Sequence, residues 1–276
     1  MFTVAPMNHK IDLKAGEVYH GEILVSNPAN SETDFEYIAE VTPYSVTGTS
    51  YDADLATESQ RSMITKWIKI EEPTGTLKPN DKKVIKFTIT VPENVPAGGQ
   101  YAAITVRSND DSQATDGFSV KNIFEIASVI YAEIDGEITH KGEVTNNNIP
   151  GFVTGLPIHL DAMITNEGNV HETASVELKV KNVLTGDKIY PEEGQTGILD
   201  EVIMPESTRY LVRDVTNVAP LGVYEVTQSI NYLGEVSSET RVVFACPIWF
   251  LIALVFTAGL IIYGIIRAIL KHRRRF

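Results

Sequence analysis

Cysteine is nearly absent: Cys246 is the only one in 276 residues. No disulfide can form within the chain, so its stability must come from packed cores. A secreted animal immunoglobulin domain usually carries a cysteine pair, and its lack here leans towards a bacterial surface protein. Positive charge is also scarce, with 23 Lys+Arg against 36 Asp+Glu and a net charge of -13. Five of those cations (Arg267, Lys271, Arg273, Arg274 and Arg275) lie at the extreme C-terminus. The preceding chain keeps 18 Lys+Arg against all 36 acids, a balance near −18. Nucleic acid is thereby excluded as a partner, since phosphate binding requires a basic face. The opening residues, MFTVAPMNHK, lack the charged and apolar segments of a secretory signal. For a domain outside the cell this implies a signal already removed or a misplaced start.

Catalytic signatures are missing too. There is no G-x-S-x-G, no phosphate loop and no nucleophile–base pairing. None of the six histidines has metal-ligand spacing. His159-x-Asp161 and His171-Glu172 read as surface groups. Asp52-Ala53-Asp54 and the Asn109–Gly117 stretch, with Asp110, Asp111 and Asp116, read as solvated acidic loops that lack the calcium-loop pattern. The expectation is no enzyme, no cofactor and no metal, although so many acids leave a glycosidase-like carboxylate pair open.

What the sequence does hold is one long apolar run, Ala245–Ile266, with no charge between Arg241 and Arg267. A helix needs about 20 apolar residues to cross the hydrocarbon core. Trp249 and Tyr263 suit the two interfaces, and the basic tail, 267–276, belongs on the cytoplasmic side. The remaining 1–244 then lies outside the cell membrane. A tail-anchored protein with its bulk in the cytoplasm is the alternative orientation.

The preceding chain alternates apolar and polar residues in short runs broken by Gly, Pro and Asn, which predicts strands. The opening residues predict a strand pair, Phe2 and Val4 followed by Ile11 and Leu13. The clearest strands are Val18–Asn27, Phe35–Val41, Lys83–Val91, Tyr101–Arg107, Leu156–Asn166 and Ala174–Val180, with a final hairpin around Leu233-Gly234. Ile123–Ile134 reads as the last strand of a first domain, with the junction at Asp135-Gly136. Residues 43–60 and Asn146–Asn148 read as loops, and Ser59–Thr65 as a short helical turn. The halves echo each other. Val25-Ser26-Asn27 parallels Ile164-Thr165-Asn166, Leu77-Lys78-Pro79-Asn80 parallels Ile203-Met204-Pro205-Glu206, and Gly99-Gln100-Tyr101 parallels Gly222-Val223-Tyr224. The predicted fold is all-β: two tandem Ig-like β-sandwiches, 1–135 and 136–244, then a single transmembrane helix, 245–266. Tyr101 and Tyr224 stand where a tyrosine corner would bond back to backbone, with plain core packing as the other reading.

The phrases DLKAGEVYHGEILVSNPAN, WIKI and LKPNDKKVIKFTITVPENVPAGGQYAAITV resemble the first domain of the WxL-interacting surface proteins of Gram-positive bacteria. ITNEGNVHETASVELKV, VIMPESTRYLV and LGVYEVTQSINY, followed by a helix and basic tail, resemble their second domain and anchor. The strand-and-turn phrase is shared with PapD-like chaperones. The resemblance implies a membrane-anchored protein of the cell surface whose first domain binds cell-wall peptidoglycan and whose second meets another surface protein. Tyr44, Tyr51 and Trp67 are the candidate binding aromatics, with Tyr44 and Tyr51 expected to stand exposed in their loop. An envelope assembly chaperone of PapD-like type, using an open strand edge, is the alternative.

Overall fold

The computed structural model describes residues 2–108 and 124–273. The expected acidic loop Asn109–Gly117 lies outside these residues, as do Arg274 and Arg275 of the tail. In chain order the strands are β1 (Thr3–Ala5), β2 (Asn8–Leu13), β3 (Val18–Ser26), β4 (Phe35–Pro43), β5 (Ser45–Thr47), β6 (Asp52–Asp54), β7 (Ile68–Ile70), β8 (Thr74–Leu77), β9 (Lys82–Thr90), β10 (Gly98–Ser108) and β11 (Glu125–Ile134). They continue as β12 (Gly142–Asn148), β13 (Phe152–Val153), β14 (Ile158–Asn166), β15 (Glu172–Asn182), β16 (Lys188–Tyr190), β17 (Ile198–Ile203), β18 (Ser207–Val215), β19 (Gly222–Tyr232) and β20 (Glu235–Ala245). One α-helix, α1, runs Ile248–Arg273. Among the described residues the chain is all-β apart from this helix and a 3₁₀ turn at Gln60–Lys66.

Two compact units result. Unit 1 comprises Met1–Gly142 with the segments Asn166–Glu172 and Ile203–Arg209. Its sandwich stacks the sheet β1-β3-β9-β7 against the sheet β2-β11-β10-β4-β8. Ile23, Val25, Ile85, Phe87 and Ile89 of the first sheet meet Leu13, Tyr37, Ile104, Val106, Ile130 and Ile134 of the second in one core. The period-2 alternation causes this, because alternate side chains share a face and the apolar set is driven inward. Unit 2 comprises Glu143–Thr165, Thr173–Val202 and Tyr210–Phe276. It is built on the sheets β12-β14-β18 and β13-β20-β19-β15-β16, with β17 also on β15. Ile158, Leu160, Leu178, Val226 and Val243 centre its core.

Several local expectations change. The opening strands do not pair with each other: β1 joins β3 antiparallel, and β2 joins β11 parallel in the opposite sheet. The chain switches sheets at Pro6, which has no N–H to give a ladder. Residues 43–60 are not a plain loop, because Ser45–Thr47 pairs with Asp52–Asp54. Asn146–Asn148 belong to β12, since polar side chains on an exposed edge suit a strand that composition alone assigns to a loop. The apolar helix begins at Ile248 rather than 245, because β20 continues to Ala245 and Pro247 ends the strand. It runs on past 266 to Arg273.

The repeated phrases do repeated work. Asn27 is 3% exposed, and its Nδ2 donates to the carbonyls of Thr33 at 3.1 Å and Leu77 at 3.0 Å. Asn166 is 1% exposed and donates likewise to Val170 at 2.8 Å and Ile203 at 3.0 Å. The residue after each turn proline, Asn80 or Glu206, adopts a positive φ of 71° or 55°, as the third residue of a Pro-led turn requires. The two tyrosines fold back over a glycine two residues earlier. A Cβ on Gly222 would lie 2.3 Å from the Tyr224 hydroxyl, and one on Gly99 would lie 1.9 Å from that of Tyr101. Tyr224 donates to the Ala219 carbonyl at 2.8 Å and so forms the corner. The Tyr101 hydroxyl lies instead beside the His171 backbone.

These contacts predict a coupling. Gly222→Ala should cost about 1–3 kcal/mol by overpacking the Tyr224 ring. In a Tyr224→Leu background the same change should cost little, and a double-mutant cycle from urea unfolding would read the difference. Equal costs in the two backgrounds would show that the glycine is not kept free for the ring.

Candidate functional site

The three candidate aromatics are placed by different elements, and none stands free in a loop. Trp67 caps the 3₁₀ turn and packs on the unit 1 core. Tyr44 is half-buried between β4 and β5, edge-on to Tyr131 at 5.8 Å, and accepts the Tyr131 hydroxyl at 3.4 Å. Tyr51 has a positive φ of 61°. Its hydroxyl bonds with that of Ser207 and accepts the Met204 N–H at 3.0 Å. The Arg209 guanidinium lies 4.8 Å from its ring. Tyr44 and Tyr51 are thus tied into the unit rather than presented to solvent. Sequence reasoning missed this because the partners, Tyr131 and Ser207, lie far along the chain.

Tyr44 and Tyr131 continue into an aromatic patch with Tyr101 and His171. The His171 ring lies 5.1 Å from Tyr131 and 5.8 Å from Tyr101. Its Nδ1 is buried without a hydrogen-bond partner. Burial, reinforced by Lys10 and opposed by Asp12, lowers its pKa to about 4. Burial also raises the Tyr101 and Tyr131 phenols well above their ordinary value. The rings pack edge-on or tilted against one another, so the patch joins β10 and β11 to the 166–172 segment of unit 1.

The histidine and acid candidates disperse. His159 bonds Asp214 at 2.7 Å, while Asp161 accepts from Asn146 and Asn148. His140 bonds Glu172 at 2.6 Å, and that carboxylate raises its pKa. Asp54 is held below its ordinary pKa by the Thr57 side chain and by the N–H groups of Ala56 and Thr57, which form a turn cap. Among the described residues no three His, Cys, Asp or Glu converge to hold a metal ion.

A sheet edge is the feature with chemistry to offer. β11 pairs with β10 along its whole length, from Glu125 to Ile134. On its other side β2 covers only Val129–Ile134. The cause is the sheet switch at Pro6, which carries the N-terminal strand away before it reaches 128. Ser128 Oγ bonds the Pro6 carbonyl at 2.7 Å, and Val129 N–H bonds Met7 at 2.9 Å, closing the covered part. The Val129 N–H points to this edge, so by strand periodicity those of Ala127 and Glu125 do too. Among the described residues nothing pairs with them. Beside the edge, Ile126 is half-buried against the core and Phe124 is 50% exposed. The result is a row of backbone donors and acceptors flanked by apolar side chains, the arrangement that accepts an added strand. The sequence signal for it was weak, since it depends on where β2 stops.

In unit 2, among the described residues, no strand pairs the outer edge of β20 over Val236–Val242, although the Asn147 side chain donates to the Ser237 carbonyl at 3.2 Å. Arg241 braces this strand to the Ile149 carbonyl at 2.9 Å. Glu239 and Arg241 place charge along it, a device that discourages pairing. The segment Ile248–Leu270 of α1 is long and apolar enough to cross a membrane. Trp249 lies in its first turn, Tyr263 well inside it, and Arg267 and Lys271 near its end.

No protein-family model matches the sequence, and no curated protein matches it. Solved structures of similar fold include a chaperone–tip adhesin complex of CFA/I fimbriae biogenesis, 13% identical over 87% of this chain and 98% of that one, with a TM-score of 0.42. The CsuC–CsuE chaperone–tip adhesion subunit pre-assembly complex of Acinetobacter baumannii Csu pili is 14% identical over 87% and 98%, with a TM-score of 0.42. The class 5 fimbriae chaperone CfaA is 14% identical over 87% and 99%, with a TM-score of 0.41. Likeness at this distance transfers no function to this chain.

Proposed function

We propose that this chain is a membrane-anchored, non-enzymatic binding protein that takes an extended segment of a protein partner onto the free edge of β11. The carrying observation is that edge itself: Glu125 and Ala127 direct unpaired backbone outward beside Phe124 and Ile126. Backbone pairing supplies affinity in such an addition, and alternate apolar side chains supply selectivity. The anchor reading rests on the Ile248–Leu270 helix. The basic residues after it favour a cytoplasmic tail and β-units outside. This reading takes up the strand-edge alternative. The wall-binding reading came from the resemblance, and the aromatics it offered as contacts, Tyr44, Tyr51 and Trp67, are engaged within unit 1.

Photo-crosslinking from position 125 of the full chain in its host envelope tests the proposal. A discrete adduct with another protein is expected, and it should vanish in Ala127→Pro. That substitution removes an outward N–H while leaving the β10 ladder intact. Adducts no different from those formed at Lys86, on the opposite sheet, would sink the proposal. Retention of the full chain on insoluble peptidoglycan, without a protein adduct, would favour the wall instead.

A further inference from the structure

Unit 2 has two unlike ends. In a chain whose residues are 21% charged, three segments of unit 2 carry no Asp, Glu, Lys or Arg: 149–158, 215–224 and 242–266. They are far apart in sequence, yet the sheet brings them together. Phe244 pairs with Phe152 on β13 and with Val223 on β19. Neighbouring strands lie about 4.8 Å apart, so these side chains form one row. Phe152 and Phe244 are each 52% exposed. Leu221, just before β19, is exposed beside them. Val183 is joined to the row through its N–H to the Val223 carbonyl at 2.9 Å, and Leu184 follows it, 76% exposed. At the opposite end of β20 lies Glu235, with Glu239 in mid-strand, while Arg241, three residues before Phe244, turns its guanidinium to the Ile149 carbonyl at 2.9 Å.

The apolar end is the end from which α1 leaves. Only Ala245, Cys246 and Pro247 separate Phe244 from the helix, a reach of at most about 14 Å. That connection has no slack. Cys246 N–H is held by the Val153 carbonyl at 2.9 Å, and the Pro247 carbonyl accepts the Phe250 N–H at 2.9 Å. Trp249, in the first turn, is exposed. The headgroup layer on each side of a bilayer core is about 5–8 Å thick, and aromatic side chains favour that depth. A row of exposed aromatic and aliphatic side chains tied this closely to a spanning helix would lie at the bilayer surface.

We propose that the apolar end of unit 2, centred on Phe152 and Phe244, is a lipid-contacting surface that seats the unit on the membrane its own helix enters. The proposal rests on the anchor reading above. It assigns these exposed side chains to the lipid interface rather than to a protein partner.

The test uses the full chain in phosphatidylcholine–phosphatidylglycerol vesicles, with Cys246→Ser as background. Single cysteines replace Phe152, Phe244, Val236 and Leu260 in turn, each carrying a spin label. Collision with a water-soluble nickel chelate is compared with collision with oxygen, which concentrates in lipid. Labels at 152 and 244 should meet the chelate about tenfold less than the label at 236 on the same strand, a partition difference of about 1.4 kcal/mol. The label at 260 should lie deep. If 152 and 244 match 236 while 260 is deep, the seating surface is overturned and the anchor stands. If 260 is also in water, the anchor fails, and this inference fails with it.

Discussion

Asn27→Leu should lower the stability of unit 1 by about 2–4 kcal/mol. The side chain is nearly inaccessible, and its amide is bonded to the Thr33 and Leu77 carbonyls. Leucine matches its size closely but gives neither carbonyl a donor. Each buried polar group left without a partner costs about 1–3 kcal/mol, whereas the net gain from one intact hydrogen bond is nearer 1 kcal/mol. The unmet carbonyls therefore dominate the loss. Two turns are also released, because Asn27 joins the end of β3 to the turn before β9, with its own N–H on the Asp81 carbonyl at 3.0 Å. Urea unfolding followed by Trp67 fluorescence would measure the change. A loss under about 0.5 kcal/mol, the range of a surface substitution, would mean that water or a shifted backbone serves those carbonyls. Asn166→Leu should do comparable damage, since Asn166 bonds Val170 and Ile203 in the same way and also accepts the Gly168 N–H at 2.8 Å.

Acid should destabilise unit 1 well above the range where carboxylates titrate. His171 is buried against Tyr101 and Tyr131, and its pKa is lowered to about 4. An unfolded histidine titrates near 6.5. Between those values the unfolded chain binds the proton and the folded chain does not, so stability rises with pH. The contribution of a neutral buried His171 is present above about pH 6.5 and is lost as pH falls towards about 4. The loss is about 2 kcal/mol at pH 5 and about 3 kcal/mol at its limit. Lys10 deepens the shift and Asp12 opposes it. His9 is also lowered by burial and adds in the same direction. Unfolding free energies at pH 7 and pH 5, again read from Trp67, should differ by this amount in the natural chain. His171→Phe, which keeps a ring in the patch, should flatten the slope. An unchanged slope in that variant would assign the acid sensitivity elsewhere.

Much of the fold was legible because alternation is local. Lys83–Val91 announced itself through Ile85, Phe87, Ile89 and Val91, all of which are buried. The Leu233-Gly234 turn predicted its hairpin, and the paired Asn, Pro and Gly-x-Tyr phrases marked equivalent turns. What was illegible depended on distance in sequence. Nothing in Phe2–Leu13 says that its two strands will join opposite sheets. Nothing around Tyr51 announces Ser207. The edge of β11 follows from where another strand stops, a fact of topology rather than of residue type.

That sheet switch also sets an order of events. β2 lies far ahead of β11 in the sequence, yet among the described residues its ladder is with β11, where Asn8 meets Val129. The parallel pairing cannot form until β11 is also present, and closing so long a loop is slow relative to local hairpins. Until then β11 and β10 offer their pairing groups to any extended segment nearby. The folding protein thus passes through an interval in which its own β2 competes with foreign strands for one position. Among the described residues, the four that β2 does not cover, 125–128, are the part of that position left without a partner strand.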